Sequence, residues 1–188
     1  MKLTGGEARG RRLKGPRGPG LRPTSDRVRE ALFDILAARV EGSLFLDAFA
    51  GTGAVGIEAL SRGAARAVFA ERDRRALRLI DENLALGGWQ DRGEVIAGEV
   101  EQAVELLAIR PDRFAVIFAD PPYETGLTQS LLSGFAALLA PGGALVLEHR
   151  SGRGIELPPD ADLTPARTYR YGDTSLSLAW CRGGGTQA

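Results

Sequence analysis

A doubly wound α/β fold on a mostly parallel sheet is the architecture this sequence predicts. Three observations predict it. From Leu44 onward, short apolar runs alternate with helical patterns. A Gly-x-Gly-x-x-Gly stretch directly follows the first run. Four successive runs end on or beside a carboxylate, at Asp47, Glu71, Glu99 and Asp120. Strands alternating with helices imply right-handed crossovers between parallel neighbours, and such sheets bind ligands beyond the carboxyl ends of their strands.

The elements follow in order. Residues 2–4 and 8–13 can pair as a short hairpin around Gly5-Gly6, whereas 15–23 is too rich in Gly and Pro for regular structure. Thr24 or Ser25 then caps a helix whose apolar stripe is Val28, Ala31, Leu32, Ile35 and Leu36. The strand runs are 44–49, 67–70, 94–97, 114–119 and 144–147. Between them lie helical patterns at 54–62, closed by Gly63, at 74–86, closed by Gly87-Gly88, at 100–108 and at 127–139. Residues 167–171 and 175–182 read as two antiparallel strands around the turn Gly172-Asp173.

The 188 residues suit one domain with a single core. Hydrophobic residues at 44% exclude disorder as the main state, and the lone Cys181 excludes a disulfide scaffold. The basic N-terminus lacks the apolar segment of a signal peptide. Residues 125–147 carry no charge, but Gly134 and Pro141-Gly142-Gly143 interrupt them, so they read as helix, turn and buried strand. A net charge of zero hides an asymmetry: residues 1–30 hold nine basic side chains against three acidic ones, +6, which the remainder offsets with −6. Seven of the nine are arginine, the residue suited to bidentate phosphate contacts, and an arm of this charge implies a polyanionic partner. The organisation expected is therefore a basic extension over 1–24, one folded domain over 25–182 and a loose tail over 183–188.

The turn Asp47-Ala48-Phe49-Ala50-Gly51-Thr52-Gly53-Ala54-Val55-Gly56 is a nucleotide-binding signal. Gly51, Gly53 and Gly56 by themselves do not choose between a dinucleotide and S-adenosylmethionine. Glu71 suits a ribose diol in either case, since one carboxylate accepts from both hydroxyls. Asp47 leans toward the second: it can receive an ammonium group, whereas a pyrophosphate would be repelled. Asp120-Pro121-Pro122-Tyr123 is sharper. The Asp120 carboxylate and Pro121 carbonyl can accept hydrogen bonds from a nucleobase amine and so aim its lone pair, the prolines stiffen the turn, and Tyr123 offers a face for a flipped-out base. His149, the only histidine, reads as a surface or loop residue, Trp89 and Trp180 as packing, and Arg74, Arg75 and Arg78 as a solvent face; no His/Cys cluster has metal-ligand spacing.

These motifs, in this order, resemble the class I S-adenosylmethionine-dependent, amino-methylating enzymes with a (D/N)PPY motif. Gly18-Pro19-Gly20-Leu21-Arg22-Pro23-Thr24 running into Asp26-Arg27-Val28-Arg29-Glu30, then Glu58-Ala59-Leu60-Ser61-Arg62-Gly63-Ala64 and Tyr171-Gly172-Asp173-Thr174, narrow the resemblance to the bacterial RsmD family. The resemblance implies a Rossmann-like, seven-stranded sheet with a reversed last strand, and methylation of a guanine N2 in 16S ribosomal RNA within an assembling small subunit. It implies S-adenosylmethionine at Asp47, Phe49, Gly51, Gly53, Gly56, Glu71, Arg72, Glu99 and Asp120, with Glu99 near the adenine amine, although the family often has Asp or Asn there. It places the target guanine at Asp120, Pro121, Pro122 and Tyr123. The candidate RNA contacts are Arg9, Arg11, Arg12, Lys14, Arg17, Arg22, Thr24 and Arg27. The expectation is a cytoplasmic monomer without metal. The alternatives are another (D/N)PPY enzyme acting on adenine of DNA or RNA, and a nicotinamide-dependent oxidoreductase.

Overall fold

A seven-stranded sheet in the order β3-β2-β1-β4-β5-β7-β6 organises the computed structural model, which describes residues 1–15, 25–122, 127–152 and 155–182. The elements are α1 (Asp26–Val40), β1 (Leu44–Ala48), α2 (Ala54–Ser61), β2 (Arg66–Glu71), α3 (Arg74–Gly87), β3 (Gly93–Ala97), α4 (Val100–Ala108), β4 (Phe114–Ala119), α5 (Gln129–Leu138), β5 (Leu139–Arg150), β6 (Leu163–Tyr171) and β7 (Thr174–Cys181). Strands β1–β5 pair in parallel, and β7 runs antiparallel to both β5 and β6. The reversed strand thus lies inside the sheet and β6 forms its edge. Pro165, which cannot donate to a ladder, sits on that edge beside a register shift.

The apolar runs become strands because both sheet faces are covered. Val116 and Phe118 face one core with α1 and α2, whereas Ile117 and Ala119 face the other with α4 and α5. β5 is longer than its apolar run, since Leu139 already pairs with Phe114 before the register shifts and Ala144 pairs with Val116. Ser25 caps α1, its Oγ accepting the Val28 N–H at 3.2 Å. The stripe of α1 is rotated from the expected one: Phe33, not Ala31 or Ile35, is wholly buried, and its ring stacks on Phe45 with centroids 6.2 Å apart.

The first fifteen residues are built into this core. Lys2 and Arg12 face each other across an antiparallel bridge, and Leu3, Ala8 and Leu13 are buried. Gly6, at φ +78°, lies so near α2 that a Cβ would stand 1.9 Å from the Ser61 carbonyl oxygen. Ser61 Oγ donates to the Gly5 carbonyl at 2.8 Å and accepts the Ala8 N–H at 3.1 Å. Beneath the hairpin, Arg29 Nε meets Glu58 Oε2 at 2.5 Å, with both side chains fully buried. Glu58 Oε1 also accepts from the Thr4 hydroxyl and backbone N–H and from Arg62, and Arg29 Nη2 donates to the Lys2 carbonyl. Charge counting places Arg29 among the side chains of a polyanion-binding arm. It belongs instead to the interior, where a carboxylate compensates it.

Candidate active site

The strand order reverses between β1 and β4, which pair Ala48 with Ala119. The glycine turn and Asp120 therefore leave neighbouring strands at the same sheet edge. This is the crevice where open α/β sheets bind ligands.

Three side chains hold the backbone of the glycine turn. Asp47, nearly the last residue of β1, is 2% exposed, and its Oδ2 accepts the Gly56 N–H at 2.8 Å. Glu71, the last residue of β2, accepts the Gly51 N–H at 2.7 Å through Oε2 and the Arg72 and Asp73 N–H groups, both at 2.8 Å, through Oε1. Asn83 of α3 donates to the Thr52 carbonyl at 3.2 Å. Gly51 and Gly53 take the left-handed conformation at φ +54° and +73°, and so does Phe49 at φ +64°, a strained setting for a residue with a side chain. Gly56 serves packing, because a Cβ there would stand 2.3 Å from the Phe69 ring of β2.

Burial is the largest influence on Asp47 and pushes its carboxyl well above the ordinary value of 3.8; the Gly56 N–H opposes this, and the negative charges of Asp120 and Glu71 add to the rise. The folded chain thus binds this proton more tightly than the unfolded chain. Stability from Asp47 is present below the unfolded value and declines as pH rises from there through the raised folded value. Asp47→Asn carries no such dependence. It is expected to melt above wild type at pH 7 and to show a flatter melting-temperature profile between pH 4 and 8. A variant that melts lower at pH 7 with an unchanged profile would contradict this.

Arg72 and Glu99 are brought together: Arg72 Nη1 lies 3.2 Å from Glu99 Oε1, and both side chains are largely exposed. Glu99 precedes α4 without capping it through its side chain. Asp120 is half-buried, Pro121 buried and Pro122 exposed, while Tyr123 lies outside the described residues. Of the basic set, Arg9, Arg11, Arg12, Lys14 and Arg27 are exposed; Arg17, Arg22 and Thr24 lie outside the described residues. Arg11 Nη1 donates to the Leu86 carbonyl at 2.6 Å, and Lys14 Nζ pairs with Glu82 at 2.9 Å, so the segment lies along α3. His149 Nε2 is 2.8 Å from Ser177 Oγ, joining β5 to β7. Trp89 is buried, with Nε1 donating to Glu7, and Arg74, Arg75 and Arg78 are exposed. Among the described residues, no acidic, His and Cys groups form a metal-binding cluster and no helix is long and apolar enough to cross a membrane.

Sequence reading missed Asn83, and it gave Glu58 and Arg29 no part in a buried ion pair. Each was signalled by a polar residue on a buried face: Asn83 beside Ile80 and Leu84, Glu58 within an entirely buried α2, and Arg29 among Val28, Leu32 and Phe33.

A sheet of this order, with one reversed strand and the glycine turn and acidic strand ends gathered at its switch point, defines a class I methyltransferase fold. The fold is shared with an RNA methyltransferase from Salinibacter ruber solved with S-adenosyl-L-homocysteine (TM-score 0.66, 18% identity, covering 88% of this chain and 97% of that one). The family described as "Conserved hypothetical protein 95" matches residues 1–180, and the chain belongs to it; this is the RsmD family. The chain is 36% identical over 186 residues to the Bacillus subtilis (strain 168) protein named "Putative rRNA methyltransferase YlbH", covering 97% of this chain and all of that one. It is 40% identical over 137 residues to ribosomal RNA small subunit methyltransferase D of Escherichia coli (strain K12), covering 71% of this chain and 65% of the relative.

Proposed function

We propose that this chain transfers a methyl group from S-adenosylmethionine to the exocyclic N2 amine of a guanine in small-subunit ribosomal RNA. One observation carries the reading. The acid-lined glycine turn and Asp120-Pro121-Pro122 emerge from adjacent strands, so a cofactor held by the first faces an amine held by the second. The kinship with rRNA methyltransferases supports the substrate class.

The residues present fit the cofactor. Asp120 and Glu71 set a negative potential at Asp47, which a cationic ligand relieves. Bound there, S-adenosylmethionine supplies an electrophilic methyl group on a sulfonium. Asp47 would receive the ammonium group and Glu71 the ribose hydroxyls, with Arg72 and Glu99 toward the adenine. Asp120 and the Pro121 carbonyl accept hydrogen bonds from the target amine, orient its lone pair and stabilise the positive charge that develops on nitrogen. Tyr123 would offer the face on which the base stacks. Proximity and orientation supply most of the acceleration.

Two measurements bear on the parts. Glu71→Ala is expected to weaken S-adenosylhomocysteine binding by roughly 1–3 kcal/mol in calorimetry, the scale for hydrogen bonds to a charged group; unchanged affinity would remove Glu71 from the site. Arg9→Ala with Arg12→Ala is expected to weaken RNA binding and to flatten the slope of log K against log salt by roughly 0.7–0.9 for each phosphate left without its arginine. An unchanged slope would exclude these side chains from the RNA. The whole reading is tested by labelled methyl transfer to 16S RNA, assembling small subunits and mature particles, with double-stranded DNA and a nicotinamide dinucleotide as controls. Transfer to RNA is expected, preferentially in a ribonucleoprotein particle. Transfer to DNA instead, or binding of the dinucleotide in place of S-adenosylhomocysteine, would overturn it.

A further inference from the structure

We propose that Asn83 is a positioning residue that fixes the root of the basic N-terminal segment to the cofactor turn, so that cofactor and RNA are held against one common frame. The inference rests on the preceding reading of that turn and that segment. Asn83 is fully buried in α3. Its Oδ1 accepts the Lys14 N–H at 2.8 Å, and its Nδ2 donates to the Lys14 carbonyl at 3.1 Å. Taking both backbone groups of one residue, as a neighbouring strand would, fixes the course of the chain at Lys14. The same Nδ2 donates to the Thr52 carbonyl, between Gly51 and Gly53. A buried amide is costly unless satisfied, and this one meets three backbone groups that an apolar side chain would leave without it. What this amide provides is a fixed relation between two backbone segments that packing alone would leave free to slide.

Two further observations fit this role. Lys14 turns its ammonium outward to Glu82 while its backbone is pinned inward, and Leu13 beside it is buried, so the segment emerges at a defined point. Thr52 Oγ1 lies 3.9 Å from Met1 Sδ, a second contact between the N-terminal segment and the turn. The N-terminal segment and the turn thus share one amide.

The test is a double-mutant cycle read by the S-adenosylhomocysteine Kd and by the KM for 16S RNA, on full-length protein whose folding is checked by melting. Lys14→Pro removes the N–H that Asn83 accepts and alters no residue of the turn. Asn83→Ala is expected to raise both the Kd and the RNA KM by roughly 5–20-fold, the range for losing buried hydrogen bonds, with a smaller change in kcat. Lys14→Pro is expected to raise the Kd by roughly two- to fivefold. The double variant should match Asn83→Ala, since both act through one amide. An unchanged Kd in Lys14→Pro, or additive effects, would overturn the proposal. So would variants that only melt lower while the Kd and KM of the folded protein stay at wild-type values. If Asn83→Ala does not fold, Asn83→Asp, which keeps the shape and the Lys14 N–H bond but loses both donors, carries the same comparison. A wild-type protein that binds no S-adenosylhomocysteine contradicts the functional reading and this inference with it; wild-type binding with unresponsive variants overturns this inference alone.

Discussion

Asp120→Asn is expected to lower methyl transfer at saturating substrates by a factor on the order of 10²–10³, the scale for losing one preorganised electrostatic contact to a charge that develops in the transition state. The substitution keeps the shape of the side chain and its place after β4. What it removes is the negative charge that the proposed reading sets opposite the amine, and that charge matters most once the nitrogen becomes positive. The effect should therefore appear in kcat and in kcat/KM alike, with RNA affinity nearly unchanged. S-adenosylhomocysteine affinity should change little, because the proposed reading assigns the cofactor to Asp47 and Glu71. Asp120 adds to the negative potential at Asp47, so the Asp47 carboxyl should titrate lower in the variant. Single-turnover rates equal to wild type would show that Asp120 has no role in the chemical step.

Glu58→Ala is expected to be the most destabilising of the single substitutions considered. It strips the buried Arg29 guanidinium of its buried carboxylate, leaving only the half-exposed Asp26 at 3.0 Å, and removes the acceptor of Thr4 and Arg62. Breaking one side of a buried pair costs about 3–5 kcal/mol, which for a chain of this size lowers the melting temperature by about 6–20 °C. The loss should spread to the N-terminal hairpin, since Glu58 and Arg29 hold Thr4 and Lys2 against α1 and α2. Hydrogen exchange at Leu3 and Leu13 should quicken before that of the central strands. Glu58→Leu with Arg29→Met replaces the pair by apolar groups and should recover part of the stability. A loss below about 1 kcal/mol for Glu58→Ala would mean that water enters and solvates Arg29.

Much of this architecture was legible because its causes are local. The run at β4 and the pattern of α4 have the predicted bounds, since a doubly covered strand reads as a continuous apolar run and a surface helix as a stripe. The acidic strand ends were legible for the same reason, as polar residues placed where apolar runs stop. What escaped depends on contacts between distant segments. Glu71 could be placed at the end of β2, but its grip on the Gly51 N–H exists only once β1 and β2 are paired. The extension of β5 back to Leu139 rests on pairing with Phe114 across a bulge containing Pro141-Gly142-Gly143, residues that read as a turn. Arg29 looked like one more cation of a basic segment, because composition records charge and not the Glu58 that lies opposite it.

The methylated atom can be read from the labelled nucleoside itself. Assembling small subunits are incubated with the protein and labelled S-adenosylmethionine, the RNA is digested to nucleosides, and the labelled nucleoside is identified by mass spectrometry against standards. Label is expected in N2-methylguanosine, and is expected to fall by a factor on the order of 10²–10³ in the initial rate with Asp120→Asn. Label in N6-methyladenosine, or only in ribosomal protein, would contradict it.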